Sequence, residues 1–315
     1  MGRTILLTGA AGFIGFHTAK ALLDKGDNVI GIDNLNDYYD PQLKRDRLAI
    51  LKEYPSFKFY KQNIEDPIKI EEKIDTICHL AAQAGVRHSM ENPFLCERSN
   101  SLGTLNIFEF ARHNNIKNVV FASSSSIYGK EKDLPFKESA RLDTPISLYA
   151  ATKIAAELYA HVYNHLFGIN MVGLRFFAVY GPWGRPDMAQ LKFVKNIREG
   201  KPIDVYNNGN NKRDFTYIDD IVSGVTTAID RVETLKFEMI NLSGRRPVDL
   251  HKFIGEIEKN IGKKAIRNNM PMQAGDVAET SADISKAQKL LGYQPQTSIE
   301  DGVKNLVDWY ISYFN

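Results

Sequence analysis

The 315 residues predict an α/β fold: a doubly wound parallel sheet followed by a smaller C-terminal α/β lobe. Three observations carry that prediction. Short β-branched or apolar runs alternate with helical patterns through the first half, the rhythm of strands joined by crossover helices. The first run passes directly into a glycine-rich turn that opens a helix. Beyond about residue 180 the rhythm weakens, as prolines and glycines break the chain into shorter pieces.

In chain order, the strand candidates are Thr4 to Leu7, Asn28 to Ile32, Lys58 to Tyr60, Thr76 to Leu80, Asn118 to Ala122 and Met171 to Phe176. A parallel sheet whose crossovers are helices is covered on both faces, so these strands are expected to be buried. The intervening helices are Phe13 to Asp24, Pro41 to Lys52, Pro93 to Asn114 and Ser147 to Phe167, each bounded by Gly, Pro or Asn signals. Pro182, Gly184, Pro186, Gly200, Pro202 and the turn-rich stretch from Asn207 to Lys212 mark the start of the smaller lobe. Thr216 to Arg231 and Glu238 to Leu242 read as a helix and a strand that rejoin the sheet. Ser298 caps a last helix on which Ile299, Val303, Leu306, Tyr310 and Phe314 form an apolar stripe expected to be core. The domains expected are therefore 1–180 with 214–242 added, and 181–315 for most of the second lobe.

Composition narrows the function. With 43% hydrophobic and 25% charged residues, the chain can bury a large core, which excludes a disordered or disulfide-scaffold protein. Forty Lys and Arg against 38 Asp and Glu leave +2, too even a balance for a nucleic-acid backbone. No run reaches the ~18 to 20 apolar residues that a spanning helix needs, so no membrane partner is expected. The segment from Met1 to Ile14 is interrupted by Gly9 and Gly12 and reads as a strand rather than a signal sequence. Cys78 and Cys96 lack metal or redox spacing and are read as packing residues in a reduced, cytoplasmic compartment. His161 and His165 have a spacing that could ligate a metal, but no third ligand is evident, and no metal site is assigned.

The first turn is Gly9-Ala-Ala-Gly12-Phe13-Ile14-Gly15. Glycines let the backbone turn sharply and approach a pyrophosphate, whose charge meets the free amides and positive end of the following helix. Asp33, with Asn34 beside it, closes the second strand, where a carboxylate accepts from an adenosine ribose and repels a 2′-phosphate. Lys44 and Arg45 lie further off in a helix, so the cofactor expected on this Rossmann-type half is NAD rather than NADP. Asn63 and Ile64 after the third strand, and Leu80, Ala81 and Ala82 after the fourth, sit at strand ends on the cofactor edge.

Tyr149 and Lys153 stand four apart on one helix face. A nearby ammonium favours phenolate, so Lys153 is expected to lower the Tyr149 pKa and make the phenol a general base. Ser123 to Ser126 follow the fifth strand at its carboxyl end, where a hydroxyl can hold a substrate hydroxyl for Tyr149.

Together with His79-Leu-Ala-Ala82, Ile127-Tyr-Gly129, Arg175-Phe-Phe, Tyr180-Gly-Pro182 and Arg213-Asp-Phe-Thr-Tyr-Ile-Asp219, these motifs resemble the extended short-chain dehydrogenase/reductases. The likeness is to the nucleotide-sugar epimerases and dehydratases among them, and it covers nearly the whole chain. It implies a catalytic triad of Ser124, Tyr149 and Lys153, with Lys153 also touching the nicotinamide ribose. It further implies that Arg213 grips a diphosphate, that Asp276 accepts from the uridine ribose and that Tyr206 lies near uracil. A homodimer through the helices at 93–114 and 147–167 is implied by the resemblance alone.

Dehydratases of this family carry an Asp-Glu pair where this chain has Ser125 and Ser126, which leaves oxidation followed by re-reduction at the 4-carbon of a UDP-sugar. The loop from Asn34 to Leu48 and the segment from Tyr180 to Ala189 look particularly like those of UDP-glucuronate 4-epimerases. A uronate carboxylate needs donors, and Arg87, Arg185, Ser125 and Ser126 are the candidates. Three departures bear on the substrate: Ala178 replaces a Thr or Asn near the sugar, Ala274 a Pro before Gly275, and Asn63 an Asp that meets adenine. A UDP-hexose or UDP-N-acetylhexosamine 4-epimerase and a UDP-glucuronate decarboxylase remain alternative enzymes. An NAD-sensing module is the non-enzyme alternative.

Overall fold

The computed structural model describes residues 2–273 and 275–314. The first half runs β1 (Thr4–Thr8), α1 (Phe13–Asp24), β2 (Asn28–Asp33), α2 (Pro41–Leu51), β3 (Phe57–Lys61), β4 (Thr76–His79), α3 (Val86–Glu91), α4 (Pro93–Glu97), α5 (Gly103–His113), β5 (Asn118–Ser124), α6 (Leu148–Phe167) and β6 (Asn170–Phe176). It continues through β7 (Ala178–Tyr180), α7 (Ala189–Glu199), β8 (Pro202–Tyr206), β9 (Lys212–Arg213), β10 (Phe215–Tyr217), α8 (Ile218–Leu235) and β11 (Phe237–Leu242). The remainder is β12 (Val248–Asp249), α9 (Leu250–Ile261), β13 (Ile266–Met270), α10 (Ser285–Leu291) and α11 (Ile299–Tyr313).

Seven strands form one parallel sheet in the order β11-β6-β5-β4-β1-β2-β3. The chain leaves β1 toward β2 and β3, then returns to β4 on the opposite side. That reversal opens a crevice beyond the carboxyl ends of β1 and β4, where no crossover can cover the sheet. Side chains alternate between the two faces, as pleating requires. Ile5, Leu7, Val29, Cys78, Val120 and Val172 belong to the core beneath α1 and α8, whereas Leu6, Ile30, Ile77, Val119, Phe121 and Met171 pack with α5 and α6.

The six strands expected in the first half are present within two residues of their expected ends. The late strand also rejoins the sheet, with β11 pairing β6 from Phe237 opposite Met171 to Leu242 opposite Phe176. Beyond the sheet, the pairs β7/β10, β8/β13 and β9/β12 are short two-stranded units among α7, α9, α10 and α11. Ser147 caps α6 by accepting from Ala150 N at 3.1 Å, and Ser298 caps α11 by accepting from Asp301 N at 3.0 Å.

Two expectations are corrected. The single helix expected from Pro93 to Asn114 is α4 and α5 joined by a π-helical turn over Arg98–Leu102. Such a turn inserts a residue into the helical repeat and re-aims its side chains. Here Asn100 Nδ2 donates to Gln83 O at 3.1 Å and Thr152 Oγ1 at 3.1 Å, while its Oδ1 accepts from Gln83 N at 2.7 Å. The turn thereby pins the segment after β4 to the middle of α6. The stripe on α11 also stops short: Val303, Leu306 and Tyr310 are buried, but Phe314 lies beyond the helix end, 45% exposed, against the Tyr310 ring.

A buried ion pair locks α6 to the sheet. Arg175 on β6 donates Nε to Glu157 Oε1 at 2.9 Å and Nη2 to Oε2 at 2.8 Å, and Ser123 on β5 donates to the same carboxylate at 2.6 Å. Removing one partner strands a buried charge. Glu157→Ala is expected to lower unfolding free energy by about 3–5 kcal/mol, measured by urea denaturation.

Candidate active site

The crevice continues into the second lobe as one cleft of about 990 Å³. At one end the glycine turn is forced by contact distance. Gly9 has φ of +73° and donates to Ile32 O at 2.7 Å, and a Cβ on Gly15 would stand 2.0 Å from Gly9 O. Gly12 faces the same limit, since its Cβ would lie 2.9 Å from that oxygen. Phe13 and Ile14 begin α1 directly behind the turn. Asp33 accepts from Ala11 N at 3.1 Å and Leu35 N at 2.8 Å, which points its carboxylate at the turn and leaves further lone pairs for hydroxyl donors.

Asn34, Asn63, Ile64, Leu80, Ala81 and Ala82 line the same end. Asn63 Oδ1 is buried and has no hydrogen-bond partner among the described residues, an acceptor suited to the exocyclic amine of an adenine. Turn, carboxylate and orphaned acceptor thus fit a dinucleotide. Lys44 is nearer than the sequence led us to expect: it is buried, lines the cleft, and feels the Asp33 charge. Its Nζ is engaged by Asn36, at 2.9 Å from O and 2.6 Å from Oδ1, so the ammonium is tied to the loop after Asp33.

Mid-cleft, β5 ends at Ser124, whose Oγ accepts from Ser126 N at 3.2 Å and donates to Ser126 Oγ at 3.2 Å. Ser125 and Ser126 form the short 3-10 turn that follows. Tyr149 and Lys153 on α6 face this serine run across the cleft. The expected depression of the Tyr149 pKa by Lys153 is not what the structure places there. Burial pushes the phenol above its ordinary range, outweighing the opposing pull of the Ser124 hydroxyl and the Arg185 charge. The Lys153 ammonium lies 6.0 Å from the Tyr149 ring centre and donates to Ala122 O at 2.9 Å. It is itself pushed down to about 8 by burial.

The four arginine and aspartate candidates divide along the cleft. Arg185 donates Nε to Asp187 Oδ1 at 3.0 Å and Nη2 to Oδ2 at 2.5 Å, and Tyr38 OH donates to Oδ2 at 3.2 Å. The guanidinium fork expected to be open for a substrate carboxylate is therefore occupied by an internal one. Arg87 is exposed and stacks over Tyr206 at 4.9 Å, on the side of the second lobe. Arg213 Nη2 pairs with Asp276 Oδ1 at 2.6 Å. Ala178 on β7 lines the cleft; Ala274 lies outside the described residues.

Every predicted site residue thus borders one cleft, and sequence reading missed the residues that orient them. Asp187 stands two positions from Arg185 and could have been found by asking what neutralises that arginine. His79 could not: it is buried between Thr8 Oγ1 at 2.7 Å and Thr104 Oγ1 at 3.1 Å, with its pKa pushed down to about 3, a contact between distant segments. Cys78 and Cys96 are buried free thiols, as expected of packing residues. His161 and His165 lie exposed with their rings stacked at 6.5 Å.

A crevice at the strand reversal, a glycine turn with an acidic strand end, and a Ser-Tyr-Lys constellation facing it define an NAD-dependent enzyme of the extended short-chain dehydrogenase/reductase class. Residues 5–243 match the model of the NAD dependent epimerase/dehydratase family, and the chain belongs to that family. It is 54% identical to an uncharacterised protein of Methanocaldococcus jannaschii, over 98% of this chain and 96% of that one. It is 44% identical to a probable UDP-glucuronate 4-epimerase of Rhizobium meliloti, over 97% and 96%. Among solved structures, a Bacillus cereus UDP-glucuronic acid 4-epimerase bound to UDP-glucuronic acid and NAD superimposes with a TM-score of 0.93 at 36% identity, covering 98% of this chain and 99% of that one.

The Lys153 burial has a pH signature. Below about pH 8 folded and unfolded chains both carry the proton, so the folded state bears the full desolvation cost; between about 8 and 10.5 only the unfolded chain stays protonated and the cost is relieved. Relative to Lys153→Met, the unliganded wild type is expected to gain about 3 kcal/mol between pH 7 and pH 10. Urea unfolding of both proteins at the two pH values checks the sign.

Proposed function

We propose that this protein interconverts UDP-glucuronate and UDP-galacturonate through a transient 4-keto sugar. The observation that carries the reading is the hydroxyl run Ser124-Ser125-Ser126 opposite Tyr149, with no carboxylic acid at the positions where elimination of water would need one. The activities for which the Rhizobium meliloti and Bacillus cereus relatives are named support the same substrate. When bound, NAD supplies a hydride acceptor and donor and, while oxidised, a positive charge that favours phenolate.

Tyr149 takes the proton of the 4-hydroxyl, Ser124 holds that hydroxyl in place, and Lys153, anchored on Ala122 O, offsets the phenolate charge. The ketone turns over in the cleft, and Tyr149 returns the proton when the opposite face is reduced, so no net oxidation occurs. Gly9, Gly12, Phe13, Ile14, Gly15, Asp33, Asn34, Asn63, Ile64, Leu80, Ala81 and Ala82 hold the cofactor. Arg213, Asp276, Tyr206 and Arg87 form the nucleotide-diphosphate end. Ser125 and Ser126 hold the carboxylate near the plane of the 4-carbonyl, which keeps a β-keto acid from losing carbon dioxide. Arg185, already paired with Asp187, borders this carboxylate subsite as a part-neutralised cation. Residues 1–180 with 214–242 act as the cofactor half, and most of 181–315 as the sugar-nucleotide lobe.

We further propose that it works as a homodimer in the reducing cytoplasm, where both buried cysteines stay free thiols. No helix among the described residues is long and apolar enough to cross a membrane. Phe94 on α4 is 78% exposed and Leu158 and Leu166 on α6 are each 62% exposed, an apolar face on the two helical segments expected to pair. Leu158→Glu with Leu166→Glu is expected to give monomers in analytical ultracentrifugation.

Ala178, small and without a donor, favours a second reading as an epimerase of neutral UDP-hexoses. Incubation with UDP-glucuronate, UDP-galactose and UDP-N-acetylglucosamine separates them, and turnover of UDP-glucuronate alone is expected. Tyr149→Phe should lower kcat by roughly 10²–10⁴-fold with little change in substrate binding. Ser125→Ala with Ser126→Ala should release UDP-pentose, and a variant with full epimerase activity and no pentose would sink the carboxylate assignment.

A further inference from the structure

Arg47 on α2 has a fully buried side chain, makes no ion pair among the described residues, and leaves its Nε without a hydrogen-bond partner there. Its fork reaches the backbones of two different loops and the hydroxyl of Tyr39 in a third. Nη1 donates to Ala11 O at 2.8 Å and to Tyr39 OH at 2.8 Å, and Nη2 donates to Trp183 O at 2.5 Å and Gly184 O at 3.2 Å. Ala11 lies inside the glycine turn, between Gly9 and Gly12. Trp183 and Gly184 immediately precede Arg185.

A second tie lies beside it. His17 on α1 is buried enough to hold its pKa down to about 4, so the ring is neutral at neutral pH, and its Nε2 lies 3.0 Å from Pro182 O, which only a protonated Nε2 can satisfy as a donor. Three successive carbonyls, those of Pro182, Trp183 and Gly184, are thus held by side chains of the cofactor half. The loop does not adopt its shape unaided. Trp183 has φ of +59°, a left-handed conformation that costs a non-glycine residue about 1–2 kcal/mol. Its ring is packed by Phe16 at 5.5 Å, Trp309 at 5.5 Å and Tyr313 at 5.0 Å.

We propose that Arg47 and His17 form a clamp that registers the Arg185 loop against the glycine turn, making both positioning residues for the 4-keto intermediate. This rests on the UDP-glucuronate reading above. A buried guanidinium met only by neutral acceptors at its two Nη atoms, with Nε unpartnered among the described residues, is a poor way to fill space, because an apolar side chain of similar volume avoids the desolvation cost. What an apolar side chain cannot do is fix two backbones at once. That relation decides the fate of the intermediate, because oxidation at C4 creates a β-keto acid. Should its C5–C6 bond align with the carbonyl π system, the bond breaks, carbon dioxide leaves and the electron pair remains on C5 as an enolate that takes up a proton. Hydride returned to C4 then yields UDP-pentose and NAD, whereas loss of the 4-keto pentose leaves NADH behind. A loop out of register with the cofactor edge permits that alignment.

The test uses the NAD-loaded enzyme as wild type, Arg47→Lys, Arg47→Met and His17→Phe. With UDP-glucuronate, the variants are expected to raise KM and the share of turnovers ending in pentose or NADH by roughly tenfold, with Arg47→Lys milder than Arg47→Met. Independently of turnover, amide hydrogen exchange over residues 182–188 should accelerate in His17→Phe and Arg47→Lys while the strands of the sheet keep their protection. His17→Phe keeps an aromatic ring and Arg47→Lys keeps the charge, so they carry the test if Arg47→Met does not fold. Unchanged exchange over 182–188, or variants that lose thermal stability alone while KM and product partition match wild type, would overturn the clamp. A wild type that leaves UDP-glucuronate untouched defeats the functional reading instead, and the exchange measurement still decides the clamp.

Discussion

The reversal of strand order at β1 is the constraint from which the rest of the molecule follows. Helical crossovers cover both faces of a parallel sheet, but where successive connections depart in opposite directions they leave the strand ends bare. Every chemically distinctive group converges on that opening: the glycine turn after β1, Asp33 at the end of β2, the segment after β4, and the serines after β5. The late strand β11 strengthens the same platform by extending the sheet beyond β6, so the second lobe hangs on the sheet it serves.

Burial then sets the electrostatics of the opening. The Tyr149 phenol rises and the Lys153 ammonium falls for one reason, the loss of water around a charge, although the two groups would favour each other's ionised forms if brought closer. The protein alone therefore holds a neutral phenol, and in the proposed mechanism positive charge added to the cleft turns it into a base. A similar economy governs Arg185. Its pairing with Asp187 removes much of the charge that would otherwise draw any anion, and under the proposed function it leaves selection of the sugar carboxylate to hydroxyl donors with defined directions.

Legibility differed by the range of the interactions involved. The strands and the first helix could be read directly because burial on both faces imposes runs of apolar residues that local pattern records. The glycine turn was equally open to reading, since Gly15 is required by a contact only six residues away in the chain. The π-helical turn at Arg98–Leu102 left no local mark. Its advantage comes from Asn100 meeting Gln83 and Thr152, partners on separate segments. Phe314 misled for a related reason: it continues the helical spacing of α11 after the helix itself has ended.

Sequence by itself determined the class of fold, the cofactor edge and the Tyr149-Lys153 pair, because each depends on residue identity at short spacing; the choice of Ser124 among the serines, and the meaning of the missing acids beside it, came from the family resemblance. Only tertiary structure decided what those groups are in place. It paired Arg185 with Asp187 and Arg213 with Asp276, stacked Arg87 on Tyr206, and joined the glycine turn to the Arg185 loop through Arg47. Apart from the Arg185–Asp187 pair, which lies within one loop, these are contacts between segments far apart in the chain, and their strength depends on desolvation, which no local run of residues encodes.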